Sequence, residues 1–193
     1  MIAIIDYGAG NLKSVKNALD YLNVDSRITD KASDILKADR LILPGDCSFG
    51  YAMKNLKKKN LVKSIKQFIA GGKPFLGICL GLQILFEESE ESLEVKGLGV
   101  FKGKVVKFRK GKVPQIGWNK IIPKKKGVFR NGFVYFVNSY YVIPEDKSII
   151  AALTDYYGEF VSAVQCNNIT AVQFHPEKSG DFGMAILKRW LKC

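Results

Sequence analysis

Histidine is almost absent from this chain: one residue, His175, serves all 193 positions. The four cysteines (Cys47, Cys79, Cys166 and Cys193) are scattered, with no C-x-x-C spacing among them. A zinc centre of clustered thiols and imidazoles is therefore not expected, and no metal is assigned. The thiols read as reduced, in a cytoplasmic protein rather than an exported one. No apolar run approaches the roughly 18–20 residues that span a bilayer, so no membrane partner is expected. The opening Met1-Ile2-Ala3-Ile4-Ile5-Asp6 meets an acid almost at once and lacks the basic leader of a signal peptide. Repeats, low-complexity tracts and Pro/Ser-rich linkers are missing too, which predicts a single domain over residues 1–193.

Acidic residues are in deficit. Thirty Lys and Arg against eighteen Asp and Glu give a formal charge of +12. Such a surplus raises the question of nucleic acid. The tightest basic runs, Lys57-Lys58-Lys59 and Lys124-Lys125-Lys126, carry no interleaved aromatics on which bases would stack. The surplus reads as a solvated lysine-rich face, with no nucleic-acid partner; an acidic protein or a phosphorylated ligand is the alternative use of such a face.

The first half of the chain alternates short apolar runs with helical periodicity. Ile2 to Ile5 reads as a buried strand and Tyr7 to Asn11 as a tight turn, after which Leu12, Val15, Leu19 and Leu22 recur at helical spacing. A second strand is expected to end at Leu41-Ile42-Leu43, followed by a loop and a helix carrying Leu61, Ile65, Phe68 and Ile69. Gly71-Gly72 signals the end of that helix. Pro74 to Ile78 reads as a third strand, and Leu80 to Phe86 as a helix. This alternation predicts a parallel sheet. The second half is rich in β-branched and aromatic residues. Gly103 to Phe108, Phe133 to Val137, Ile149 to Leu153, Phe160 to Gln165 and Ile169 to Phe174 read as antiparallel strands, before a last helix from about Asp181 to Leu191. The expected fold is a three-layer, flavodoxin-like α/β domain whose mixed sheet has a parallel half and an antiparallel extension.

Two segments carry chemistry. In Gly77-Ile78-Cys79-Leu80-Gly81 a buried strand runs into a small-x-nucleophile-x-small turn and then a helix. Glycines belong there because the nucleophile's backbone is strained and its neighbours pass close to the next element. Such a turn presents Cys79 at the carboxyl end of the sheet, where open α/β sheets place ligands, and offers the Leu80 N–H to an oxyanion. In Val172-Gln173-Phe174-His175-Pro176-Glu177 the one imidazole stands where a strand ends, with a carboxylate two residues on. A thiol nucleophile needs a base near neutrality, and the base needs an acceptor that fixes its tautomer. A buried cysteine ending a strand and a histidine capping another are the plain alternatives for each segment alone. Together the two segments point to a Cys79-His175-Glu177 triad.

These segments give the chain its resemblance to the class I glutamine amidotransferases, and among them to the glutaminase subunits of imidazole glycerol phosphate synthases. The likeness runs nearly end to end. It includes Asp6-Tyr7-Gly8-Ala9-Gly10-Asn11-Leu12, Leu43-Pro44-Gly45 with Ser48-Phe49-Gly50, the Cys79 elbow through Gln83, and Gly97-Leu98-Gly99. It continues in Pro114-Gln115-Ile116-Gly117-Trp118-Asn119, Tyr135-Phe136-Val137-Asn138-Ser139-Tyr140 and Phe174-His175-Pro176-Glu177-Lys178-Ser179. The resemblance implies hydrolysis of L-glutamine through a thioester on Cys79, with no cofactor. Ammonia would pass to a (β/α)8-barrel cyclase subunit, in a heterodimer that makes imidazole glycerol phosphate for histidine biosynthesis. It further implies that Gln83, Glu91, Gly45, Asp46 and the backbone at Ser139 and Tyr140 hold the substrate. Asp46 and Leu80 would serve the oxyanion, and Asn11, Trp118, Tyr135 and Lys178 would face the barrel. For Glu91 the alternative is a simply solvated acidic stretch, Glu87 to Glu94.

Three departures stand out. Pro44-Gly45-Asp46-Cys47 replaces the family's Pro-Gly-Val-Gly, which predicts strain at Cys47 if a positive φ is required there, and a negative charge beside the oxyanion. Gln115 and Asn138 stand where the family has histidines. They leave open a paralogue feeding ammonia to a surface-sugar amidotransferase. From other classes, a cysteine hydrolase on a flavodoxin-like sheet and a catalytically weak binding or regulatory subunit are the competing readings.

Overall fold

The computed structural model describes all 193 residues. Its elements in chain order are β1 (Ile2–Ile5), α1 (Leu12–Tyr21), β2 (Ser26–Thr29), α2 (Ala32–Lys37), β3 (Arg40–Leu43), α3 (Phe49–Lys58), α4 (Leu61–Ala70), β4 (Phe75–Ile78), α5 (Leu80–Gln83) and β5 (Phe86–Ser89). There follow β6 (Phe101–Lys107), β7 (Gln115–Pro123), β8 (Gly132–Asn138), β9 (Tyr140–Pro144), β10 (Ile150–Asp155), β11 (Glu159–Cys166), β12 (Ile169–Val172) and α6 (Gly180–Trp190).

The strand pleat explains the layering. In β1, Ile2 and Ile4 turn to one side of the sheet, among Val15 and Leu19 of α1 and Ile186, Leu187 and Trp190 of α6. Ala3 and Ile5 turn to the other, among Ile35 of α2, Met53 and Leu56 of α3 and Ile65 and Phe68 of α4. Successive residues of a strand face opposite ways, so a strand buried on both sides must be apolar throughout, as β1 and β4 are. The result is three layers with a core on each face of the sheet.

The main strand order is β2-β1-β3-β4-β12-β11-β10-β7-β8, with β9, β6 and β5 branching from β11. From β2 to β12 every pairing is parallel. Pairings from β12 outward through β11, β10, β7 and β8 are antiparallel. The mixed sheet is thus as expected, with corrections. The last strand was expected in the antiparallel set, but β12 runs parallel to β4 and forms the seam between the halves. The strand ending at Leu43 is the third rather than the second. The unread β2 has an exposed Arg27-Ile28 centre and α2 buries only Ile35, so neither carries a long apolar signal. The expected loop after Leu43 contains α3, whose Phe49, Ala52, Met53 and Leu56 make a full apolar stripe. The expected Leu80 to Phe86 helix is one turn, α5, and the chain then enters β5. Strands β7 and β9 were also missed; β7 alternates exposed residues, among them Ile116, Trp118 and Lys120, with less exposed ones, and so lacks a continuous apolar run.

One close approach positions the elbow. A Cβ on Gly81 would collide with the Leu43 carbonyl oxygen, and a Cβ on Gly77 would lie 2.7 Å from the Gly81 oxygen and 3.1 Å from Ala171 Cβ. The start of α5 is therefore pressed against the end of β3, and β4 against β12. Gly81→Ala is expected to lower the unfolding free energy by about 1–3 kcal/mol through overpacking, measured by urea denaturation. An unchanged midpoint would show that this contact is not tight.

Candidate active site

Three loops after parallel strands meet above the carboxyl ends of β1, β3 and β4. Cys79 holds φ 55° and ψ −106°, a left-handed conformation that a side-chain-bearing residue adopts only under constraint. The constraint is visible: its N–H donates to the Val172 carbonyl at 2.7 Å, and glycines 77 and 81 let the flanking elements close on it. Ile78 is in register with Val172, so the residues that leave β4 and β12 are neighbours. This parallel pairing brings Cys79 beside Gln173 and carries His175 to the same end of the sheet.

His175 is fixed on every side. Its N–H donates to the Tyr135 carbonyl at 2.9 Å, while Ser179 Oγ donates to the His175 carbonyl at 2.6 Å and accepts from the Tyr135 N–H at 2.9 Å. Nδ1 lies 2.7 Å from Glu177 Oε1, and both side chains are almost wholly buried, at 4% and 2% exposure. An ionised carboxylate only accepts, so Nδ1 carries the proton and Nε2 is the nitrogen left for chemistry. Nε2 makes no hydrogen bond that satisfies both distance and angle. Burial works to lower the imidazole's pKa. The Cys79 sulfur and then the Glu177 carboxylate outweigh it and hold the imidazolium up to about 10.

A cavity of about 340 Å³ opens in front of Cys79 and is lined by Asp46, Leu80, Gln83, Glu91, Ser139 and Tyr140, among others. His175 and Glu177 lie behind the sulfur and do not form its wall. Gln83 Nε2 donates to the Tyr140 carbonyl at 3.2 Å. Glu91 is not simply solvated: its Oε2 accepts the Phe49 N–H at 2.6 Å and ties the start of α3 to the segment after β5. Two more acids of that stretch are similarly engaged, Glu87 with the Gly103 N–H and Glu90 with the Lys107 N–H and Arg109, while Glu94 is exposed.

The loop after β3 differs from expectation. Cys47 has no positive φ, so the family's missing glycine costs no backbone strain in this conformation. Its sulfur contacts the Ser48 carbonyl at 3.6 Å, and burial pushes its thiol pKa up. Asp46 is exposed at the cavity rim. The Gly45 carbonyl accepts the Leu80 N–H at 3.4 Å, so this N–H is engaged by its own loop. Gly45 is held in turn by Tyr7, whose hydroxyl donates to the Pro44 carbonyl at 2.9 Å; a Cβ on Gly45 would strike that hydroxyl. Burial keeps the Tyr7 hydroxyl protonated well beyond the usual range.

The two histidine-replacing residues prove to be a pair. Gln115 and Asn138 are opposite each other across β7 and β8, both buried, and Gln115 Oε1 and Asn138 Oδ1 accept nothing. Asn138 Nδ2 donates to the Tyr140 carbonyl at 3.0 Å, supporting the same oxygen that Gln83 holds. Sequence reasoning took them one at a time because only register reveals the pairing. It also passed over Gln173, a wholly buried amide touching the Cys79 sulfur. The available signal was a polar residue inside the otherwise apolar run Ala171 to Phe174.

Of the residues expected to face a partner, Trp118 is 55% exposed and stacks edge-on against Tyr135, with ring centroids 6.1 Å apart. Lys178 is half-buried in the turn after His175. Asn11 caps α1, its Oδ1 accepting the Ser14 N–H at 3.2 Å. Ile116 and Phe133 extend the exposed apolar face of the β7–β8 hairpin.

The lone histidine makes its titration directly observable. By proton NMR, the His175 ring is expected to titrate near pH 10, and its midpoint should fall in Cys79→Ala and in Glu177→Gln. A pKa raised on folding adds stability that is complete below the unfolded value near 6.5 and is lost as pH rises toward 10. The wild type's stability advantage over Glu177→Gln should therefore shrink between pH 6.5 and 10 in urea titrations.

Comparison with known proteins bears on the family and the fold. Residues 3–193 match the family described as glutamine amidotransferase class-I. The chain is 48% identical to the imidazole glycerol phosphate synthase subunit HisH of Rhodopirellula baltica, covering 98% of this chain and 96% of that one. It is 47% identical to the HisH subunit of Aquifex aeolicus, over 97% and 94%. Among solved structures, a glutamine amidotransferase superposes with a TM-score of 0.82 at 18% identity, over 100% of this chain and 98% of that one. PurLQS from Thermotoga maritima superposes at 0.80 and 18% identity, over 99% and 97%. At that identity the structural matches speak for the fold, and the sequence matches for the family. By the family match and these relatives, this chain belongs to the class-I glutamine amidotransferases.

Proposed function

We propose that this chain is the glutaminase subunit of an imidazole glycerol phosphate synthase, with Cys79 as nucleophile, His175 as general base and acid, and Glu177 as the group that orients His175. The observation that carries the reading is the convergence of Cys79, His175 and Glu177 at the carboxyl ends of two adjacent parallel strands, beside a cavity sized for an amino acid.

The sulfur, as thiolate, attacks the side-chain amide carbon of L-glutamine, and the carbonyl becomes an oxyanion. The C–N bond then breaks, and ammonia leaves with the proton that His175 Nε2 carries. Water adds to the resulting thioester, His175 takes its proton, and glutamate and the thiol are released. Glu177 keeps the Nδ1 proton in place throughout. Gln83, the Glu91 carboxylate and the backbone at Ser139 and Tyr140 hold the substrate's charged groups. The Leu80 N–H and the Gly45–Asp46 peptide receive the oxyanion once the Gly45 carbonyl turns away from Leu80. Because that carbonyl occupies Leu80 at rest, the isolated chain is expected to turn over slowly.

Ammonia passes to a (β/α)8-barrel cyclase subunit across the end of the sheet that carries Asn11, Trp118, Tyr135 and Lys178. There it reacts with a phosphorylated ribulosyl formimino nucleotide and yields imidazole glycerol phosphate and an aminoimidazole carboxamide ribotide. The HisH relatives named above favour this acceptor over a surface sugar. An exposed Trp118 stacked on the half-buried Tyr135 beside the catalytic histidine suits a partner that must sit directly over the site.

Cys79→Ala is expected to abolish glutamate release from L-glutamine while the thermal transition stays within a few degrees; a comparable rate in the variant would disprove the nucleophile. Glutamate release should be low for the chain alone and rise by a factor of about 10² or more when the barrel subunit and its nucleotide ligand are both present. Absence of any stimulation, with Cys79 still alkylated by a glutamine-mimicking reagent, would point to a different acceptor enzyme.

A further inference from the structure

Two atoms besides His175 bear on the Cys79 sulfur. The Val137 carbonyl lies 3.8 Å away and can only accept, so it suits the neutral thiol. Gln173 Nε2 lies 3.5 Å away and can only donate, so it suits the thiolate. The direction of the Gln173 amide is not free. Its oxygen accepts from Gln83 Nε2 at 3.1 Å, and that same Gln83 nitrogen is anchored on the Tyr140 carbonyl at 3.2 Å. A flipped Gln173 amide would set two donors against each other at Gln83 and an oxygen against the sulfur. The side chain is 0% exposed, so no water substitutes for either contact.

We infer that Gln173 is a further catalytic residue, whose fixed side-chain amide donates to the Cys79 sulfur and stabilises its ionised form. The inference deepens the glutaminase reading of this site. A buried amide filling space would tolerate any packing arrangement, but this one spends its donor on sulfur and its acceptor on Gln83. The chain Tyr140 carbonyl, Gln83, Gln173, Cys79 then links the segment proposed to hold the substrate to the nucleophile through side-chain amides alone. Where Gln83 shifts to engage a ligand, the donor on the sulfur shifts with it.

The titratable groups facing Cys79 are His175 with Glu177 after β12, Asp46 and Cys47 after β3, Tyr7 after β1, Glu91 after β5 and Tyr140 in β9. None is altered by a change at position 173, so a comparison of two proteins isolates the amide. The test is the pH dependence of alkylation at Cys79 by iodoacetamide, read by peptide mass mapping, which separates Cys79 from the free Cys47, Cys166 and Cys193. In Gln173→Met, which keeps an unbranched side chain but no donor, the midpoint should rise by about one pH unit and alkylation below the midpoint should fall about tenfold. An unchanged midpoint in a folded variant would overturn the proposal. Should Gln173→Met not fold, the wild type decides: the assigned Gln173 side-chain amide resonance must shift with pH at the same midpoint as Cys79 alkylation. A flat amide resonance would also overturn it. Alkylation needs no glutamine turnover, so failure of the glutaminase reading would show as absent glutamate release with the midpoint shift intact.

Discussion

Cys79 is held in a backbone conformation that an L-residue avoids, at a cost of about 1–3 kcal/mol, and the surrounding fold is arranged around that turn. β4 must lie between β3 and β12 with no side chain on Gly77, and α5 must begin against the Leu43 carbonyl with none on Gly81. The cores on the two faces of the sheet supply the energy that keeps these backbones pressed together, because the strands there are apolar on both sides. In exchange, the sulfur stands clear of the sheet at a fixed position, and the next strand over delivers an imidazole to it without any long loop.

Burial sets the electrostatics of the site. His175 and Glu177 are sealed behind the cavity, where a lone charge would be expensive but a hydrogen-bonded pair is sustained. Their far atoms, His175 Nε2 and Glu177 Oε2, have no partner in the same enclosed space. The contrast with the rim is sharp. Asp46 is exposed, so the charge on the loop after β3 faces solvent.

Legibility in the sequence followed the density of apolar signal. β1, α1, β3, β4 and α6 could be read because each carries a run or stripe of buried residues. β2 and α2 could not, since an edge strand and a helix that buries a single residue resemble a polar loop. Cys79, His175 and Glu177 stood out as candidates because they belong to short segments with few alternative uses, and the structure brings the three to one end of the sheet. The pairing of Gln115 with Asn138, the engagement of Leu80 by Gly45 and the contact of Gln173 with the sulfur were not. Each depends on register or on a peptide's direction, and neither is written in local composition.

The β7–β8 hairpin ends the sheet with Ile116, Trp118 and Phe133 exposed on one face. An edge strand with an apolar face is a template for self-association. The chain carries a charge of +12, and mutual repulsion between copies opposes that outcome over distances set by the ionic strength. The lysine surplus thus has a colloidal consequence: unpartnered copies stay dispersed at low salt and lose that protection as salt rises, most of all near the alkaline pI of about 9.5.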